Sequence, residues 1–205
     1  MDIAANLPFN WFDLLVACVL LAGVFRGRKN GMSGELLPLL QWIAIVFVCA
    51  TMYESLGNTL AATAQLSLLS SYLISYVALA IATKIGFTLI KYVLKGKLIS
   101  ADFFGKTEYY LGMIAGAVRF GCVLLVMLAL LNARQFTEAE IMRDIQSQRE
   151  VYGAQFFPKL YTVQQHVFVR SAIGAFIRQN LGGLLIKPTP AESVKFQRQE
   201  WQPPW

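Results

Sequence analysis

Arg119 is the residue of this chain best placed to do unusual chemistry. It stands near the middle of Leu111 to Leu131, LGMIAGAVRFGCVLLVMLALL, a run of twenty-one residues with no other charge. A guanidinium at bilayer depth costs about 2.5 kcal/mol or more, and such residues mark water-filled paths, lipid contacts or paired charges. On a helix, Ala115, Gly116 and Arg119 fall within about 60° of Gly112, so the charge shares a flat, small-residue face suited to another helix. Lys84 is a second deep cation, about ten residues or roughly 15 Å from the end of its own apolar run. Ala78, Ala82 and Gly86 follow one another at i, i+4 and i+8 on that run and predict a second groove for close helix approach. Lys91 and Lys95 are near enough to the end to snorkel.

No intramembrane anion is evident for either deep cation. Glu108, eleven residues before Arg119, is about 16 Å away along the axis and out of direct reach. Water, carbonyls or a lipid phosphate must then serve. Two readings stand: a hydrated, anion-attracting or lipid-contacting crevice, or two side chains reaching headgroups through local thinning of the bilayer. On either reading Arg119→Leu removes a costly charge and leaves insertion intact or improves it.

The other reactive residue types carry little chemistry. Cys18, Cys49 and Cys122 all sit in apolar runs, an odd number without a pairing or zinc motif, and suit helix packing. His166 has no cysteine or carboxylate at ligand spacing. No Ser-His-Asp pattern, HExxH, phosphate-cradling glycine loop or dinucleotide fingerprint occurs. The apolar runs are almost free of carboxylates. The expectation is therefore no enzyme, with no catalytic residue, no metal site and no cofactor. The formal net charge of +6 comes without clustered bases and aromatics, so nucleic acid is not an expected partner.

These side chains must be positioned by membrane-crossing helices. Of the 205 residues 56% are hydrophobic and only 15% charged, against about a quarter charged in soluble domains. Mean hydropathy is +0.51. Apolar runs at residues 9–25, 36–53, 68–94 and 111–131 each approach the roughly 20 residues needed to span a bilayer. The first is no cleaved signal peptide: it lacks a basic start, and its basic cluster follows the run. Between runs one and two, Gly27, Gly31 and Gly34 suit a tight return, Ser33 can cap the second helix, and Pro38 falls early enough to be tolerated. The stretch around Glu54 to Ser67 reads as the second loop. The predicted fold is an all-α membrane protein with four transmembrane helices, then a weakly amphipathic helical tail and a disordered C-terminus. Its divisions are 1–133 for the four-span domain, 134–186 for the tail, which suits a membrane interface, and 187–205 for the disordered end.

Short-loop charges set the orientation. Arg26, Arg28 and Lys29 lie in the first loop and Lys95, Lys97 and Lys106 in the third, with none before Phe9 or in the second loop. Loops one and three are then cytoplasmic, and both termini periplasmic. Glu35 and Glu108 fall near the cytoplasmic surface beside these cations, where ordinary solvated pairing is expected.

In these residues the chain resembles the colicin V production proteins of bacterial inner membranes. The resemblance starts at Asn10-Trp11-Phe12-Asp13, similar to the family's Trp-x-Asp opening of span one. It continues through Arg26-Gly27, Glu35 and Trp42, and closes with Thr107 to Gly112 and Gly116-Ala117-Val118-Arg119. It covers roughly residues 10 to 133. The chain departs from the family at Glu108, where Asp is usual, and at Phe120, where Gly is usual. The resemblance implies Trp11, Asp13, Arg26, Gly27, Glu35, Trp42, Glu108, Gly112, Gly116 and Arg119 as candidate functional residues, with Lys84 added from its depth alone. It further implies a multi-pass inner-membrane protein needed for production or export of a peptide toxin and for envelope homeostasis.

Two function classes follow. One is a pathway-forming transport component, with small-residue faces assembling a bundle and Arg119 and Lys84 lining the path. The other is a non-conducting scaffold supporting a secretion or envelope machine. The expected partners are the lipid bilayer, further copies of the chain, and envelope or secretion proteins.

Overall fold

Asn10 starts the first helix with a reciprocal cap. Its side chain accepts from Trp11 N at 2.7 Å, and the Asp13 carboxylate accepts from Asn10 N at 2.8 Å, the arrangement of a capping box. In the computed structural model, which describes residues 10–94, 107–152 and 159–190, helix α1 runs Trp11–Ala64. It is followed by α2 (Leu68–Leu94), α3 (Glu108–Asn132), α4 (Glu138–Tyr152), α5 (Leu160–Phe168) and α6 (Ala172–Asn180). A 3-10 turn, Gly182–Leu184, and two short strands, β1 (Arg134–Gln135) and β2 (Thr189–Pro190), complete the described residues.

Helix α1 has 54 residues, which if straight would run about 80 Å, far more than a bilayer is thick. It is not straight. Gly31 stands at φ 68°, ψ 173°, outside the helical region, and divides α1 into limbs of residues 11–30 and 32–64. A side chain would strain this backbone, so glycine is required here. The first limb lies antiparallel to α3: Gly27 meets Gly112 and Gly23 meets Gly116, while Phe12 and Leu15 share a groove with Leu128 and Leu131. The second limb runs parallel to α3, with Glu35 at Arg119 and Trp42 beside Val126 and Leu130. The chain therefore turns back on itself at one residue. Helix α2 returns along the second limb: Tyr72 donates to Asn58 Oδ1 at 3.0 Å, and the Tyr53 ring meets Tyr72 and Tyr76 edge-on, with centroids 5.5 and 6.3 Å apart.

Three helices, α1, α2 and α3, are long and apolar enough to cross a membrane. Leu14, Leu21, Phe47, Ile81, Leu89 and Ile114, drawn from all three, are exposed. This is the apolar exterior expected of helices bathed in lipid, not water.

Two predicted loops prove to be helix. The first limb continues through Arg26 to Asn30, so the return occupies Gly31 alone. Ser33 does not cap, and its buried hydroxyl has no hydrogen-bond partner. Helix also continues past Tyr53 to Ala64, and only Gln65 to Ser67 joins α1 to α2. Gln65 makes that corner in the left-handed conformation, φ 52°. The basic third loop around Lys95, Lys97 and Lys106 lies outside the described residues.

The tail departs from one amphipathic helix. Residues 169–171 separate α5 from α6, and Gly174 lets them close tightly, because a Cβ there would overlap the Val167 carbonyl. Val167, Phe168, Leu185 and Ile186 join the core formed by Phe12, Val16, Cys49, Tyr53, Tyr76 and Leu128. The expectation of disorder from Lys187 is overturned as far as Pro190. There Arg134 pairs with Thr189 and Gln135 with Pro190 in a parallel ladder, and Thr189 N donates to Ala133 O at 2.9 Å. Lys187 Nζ reaches Glu54 at 2.7 Å, and this hydrogen bond and charge hold the ammonium pKa above its ordinary value. The remainder, 191–205, lies outside the described residues.

Candidate functional site

Six of the candidate residues, Gly27, Glu35, Glu108, Gly112, Gly116 and Arg119, gather where the two limbs of α1 pack against α3. Gly23, Gly27 and Gly31 recur every fourth residue and face Gly112 and Gly116. A Cβ on Gly27 would run into the Gly112 carbonyl, and one on Gly116 into that of Gly23. The two backbones touch directly. Such contact lets van der Waals packing and carbonyl contacts replace a hydrophobic drive that lipid cannot supply. Glu108 closes the same crossing, since a Cβ on Gly31 would stand 2.7 Å from its Oε1.

Close approach also determines what Arg119 meets. The turn at Gly31 brings the second limb alongside α3, and Arg119 Nη1 donates to Glu35 Oε2 at 2.6 Å. Asn30 Nδ2 donates to Glu35 Oε1 at 2.6 Å, so both carboxylate oxygens are used. The Glu35 side chain is 1% exposed and that of Arg119 19%. This corrects two sequence expectations. Glu35 is not a solvated surface acid, and Arg119 has a protein anion and needs no lipid phosphate to balance it. Arg119 also lies 5.7 Å from the Phe120 ring centroid, while its Nε is buried without a hydrogen-bond partner. A buried pair of this kind is strongly damaged when one partner is removed, and it ties residues far apart in the chain into one register.

Asp13 and Trp11 occupy the opposite end of the first limb. Asp13, 3% exposed, accepts from Ser171 Oγ at 2.6 Å and Ile173 N at 3.0 Å as well as from Asn10. Asn10 Nδ2 donates to His166 O at 2.9 Å. The carboxylate at the start of α1 thus holds α6 in place. Trp11 is 50% exposed and joins no polar cluster.

The remaining candidates stand apart. Arg26 is exposed. Trp42 lines an apolar groove with Tyr76, Val126 and Lys84. Lys84 is exposed at the edge of that groove. Ala78, Ala82 and Gly86 are exposed on another face of α2, and a Cβ on Gly86 would meet nothing within 4 Å. The predicted second small-residue groove is therefore not used within the chain, and no acidic partner reaches Lys84 among the described residues. The sequence reading named Gly31 only as one of three glycines of the return, and it missed Gly23, Asn30 and Ser171. For the glycines the signal was present in the i, i+4, i+8 spacing of 23, 27 and 31. Ser171 shows none, because its role depends on a partner 158 residues away.

Among the described residues no group of three or more His, Cys, Asp or Glu side chains converges as a metal site. The arrangement can join helices, neutralise charge and fix a turn. A comparison with curated proteins finds no match, and a comparison with solved structures finds none either. A family model described as colicin V production protein matches residues 12–161. That stretch contains the Gly31 turn, the glycine crossing and the Arg119–Glu35 pair, and it covers well over half of the chain: the protein belongs to the colicin V production protein family.

Proposed function

We propose that this protein supports toxin production as a non-conducting scaffold in the bacterial inner membrane, crossing it four times and presenting both termini to the periplasm. The family match and three membrane-length apolar helices support the membrane setting. The first limb of α1, about 30 Å long, is sufficient for one crossing and the second limb for another, so the Gly31 turn makes a hairpin with Arg26, Arg28 and Lys29 on the cytoplasmic side. The observation that carries the scaffold reading is the Arg119–Glu35 pair. A pathway built on Arg119 needs its charge free to meet a permeant ion. Here the charge is already balanced inside the helix packing, where it fixes the fold. No catalytic role is proposed for any residue.

Lys84 favours the second reading, a pathway-forming transport component. Its exposed position on α2 would line a path only between copies of the chain or between the chain and an envelope or secretion partner. Ion flux into liposomes carrying purified protein separates the two. The scaffold reading expects flux equal to that of protein-free vesicles. A protein-dependent flux that Lys84→Leu abolishes would replace it with the pathway reading.

A further inference from the structure

The junction between the end of α3 and the tail contains a cavity of about 270 Å³. Arg134 and Arg178 both line it, with Phe136, Tyr161 and Gln164. The walls are held in place. Arg134 lies over the Phe136 ring, 4.5 Å from its centroid, and Phe136 meets Tyr161 edge-on at 6.2 Å. Gln164 Nε2 donates to the carbonyls of Leu131 and Arg134, tying α5 to the end of α3.

Neither arginine has a carboxylate partner among the described residues. The stretch from Lys159 to Pro190 contains Lys159, Arg170, Arg178 and Lys187 and no Asp or Glu at all. Of the acids on the neighbouring elements, Glu140 of α4 turns back to accept from Thr137 N, and Asp13 is taken by Asn10, Ser171 and Ile173. Two guanidinium groups thus line one concave surface, with planar donor forks of the kind that match phosphate oxygens. The location narrows the source. Arg134 stands two residues beyond the last residue of α3, where a spanning helix leaves the hydrocarbon and lipid phosphates begin. Trp11, Val169 and Phe176 are exposed on the parts of the molecule gathered at this end, as apolar anchors at an interface would be.

We propose that this cavity binds the phosphate group of an anionic phospholipid headgroup through Arg134 and Arg178. Native mass spectrometry of the full chain in detergent, titrated with phosphatidylglycerol or phosphatidylcholine, tests it. Phosphatidylglycerol binds more tightly than phosphatidylcholine, and Arg134→Gln/Arg178→Gln weakens it roughly tenfold, as expected for lost charge-assisted hydrogen bonds. Arg28→Gln/Lys29→Gln removes the same charge from the other end of the bundle and leaves this binding step in place. Equal binding of the two lipids, or an equal loss in both double variants, overturns the proposal. Soluble glycerol phosphate is the second arm. Competition at this step keeps the phosphate site and assigns it to a soluble ester, whereas absence of competition assigns it to lipid. Circular dichroism and thermal unfolding check the fold. If the double variant is destabilised, Arg178→Gln alone, an exposed side chain, carries the test, and unchanged phosphatidylglycerol binding there overturns the assignment of Arg178.

Discussion

Replacing Arg119 with leucine should destabilise the protein, although it removes a charge from an apolar helix. The reason is Glu35. With its side chain 1% exposed and one of its two hydrogen-bond donors gone, the carboxylate is left buried with Asn30 alone. Breaking a buried pair from one side costs roughly 3–5 kcal/mol, and for a chain of this length each kcal/mol lowers the unfolding midpoint by about 2–4 °C. Arg119→Leu should therefore lose roughly 6 to 20 °C in a detergent micelle, read by intrinsic tryptophan fluorescence during heating. Glu35→Leu should lose a comparable amount. The combined Glu35→Leu/Arg119→Leu variant should recover most of the stability, because an apolar pair of similar volume often replaces a buried ion pair at little cost. Measured as a cycle, the two changes are then strongly non-additive. If the losses in the double variant simply add, the two side chains do not interact and the pairing that underlies the scaffold reading is refuted.

Three further outcomes follow from the geometry. Gly27→Ala and Gly116→Ala each force a Cβ into a facing carbonyl, so both should separate the first limb from α3 and reduce crosslinking between cysteines placed at positions 20 and 121, whereas Gly86→Ala, which meets nothing, should leave stability unchanged or raise it by up to about 1 kcal/mol. Gly31→Ala should cost at least about 1–2 kcal/mol from the left-handed backbone alone, with Glu108 displaced besides; unchanged thermal stability would show that the turn lies elsewhere. Asp13→Ala should release α5 and α6 from the start of α1 and make the tail cleavable by protease in folded protein, while leaving the helical signal of α1 to α3 intact; a tail as resistant as wild type would remove Asp13 as its anchor.

The long helices were legible because their signal is local. The apolar run from 68 to 94 coincides with α2, and that from 111 to 131 falls inside α3, Glu108–Asn132. The loops were misread because charge and glycine were taken as markers of irregular backbone. Gly27 is helical and serves close approach, and the cations from Arg26 to Lys29 lie on the exposed last turn of a helix. Gly31, whose turn requires it, was one of three glycines with equal claim in the sequence. Glu35 was recognised as part of a family pattern but assigned to water, because its partner lies 84 residues away and no periodicity connects them. The tail was weakest of all. Beyond a few apolar residues in the core, its order comes from long-range hydrogen bonds to Asp13, Tyr53 and Asn132, which leave no trace in composition.

The bond between Ser171 and Asp13 also sets a clock on biosynthesis. The two residues are separated by 158 positions, so at about 5–20 residues per second the ribosome delivers the serine roughly 8 to 30 s after the aspartate. Through that interval the first helix is already made, yet its carboxylate has only the local cap from Asn10. A chain that stops before α6 can carry every apolar helix and still hold an acid without its full set of donors at the very start. Completion of the last helix is therefore reported at the first, and a nascent product cut short differs chemically from a finished one at a site far from the break.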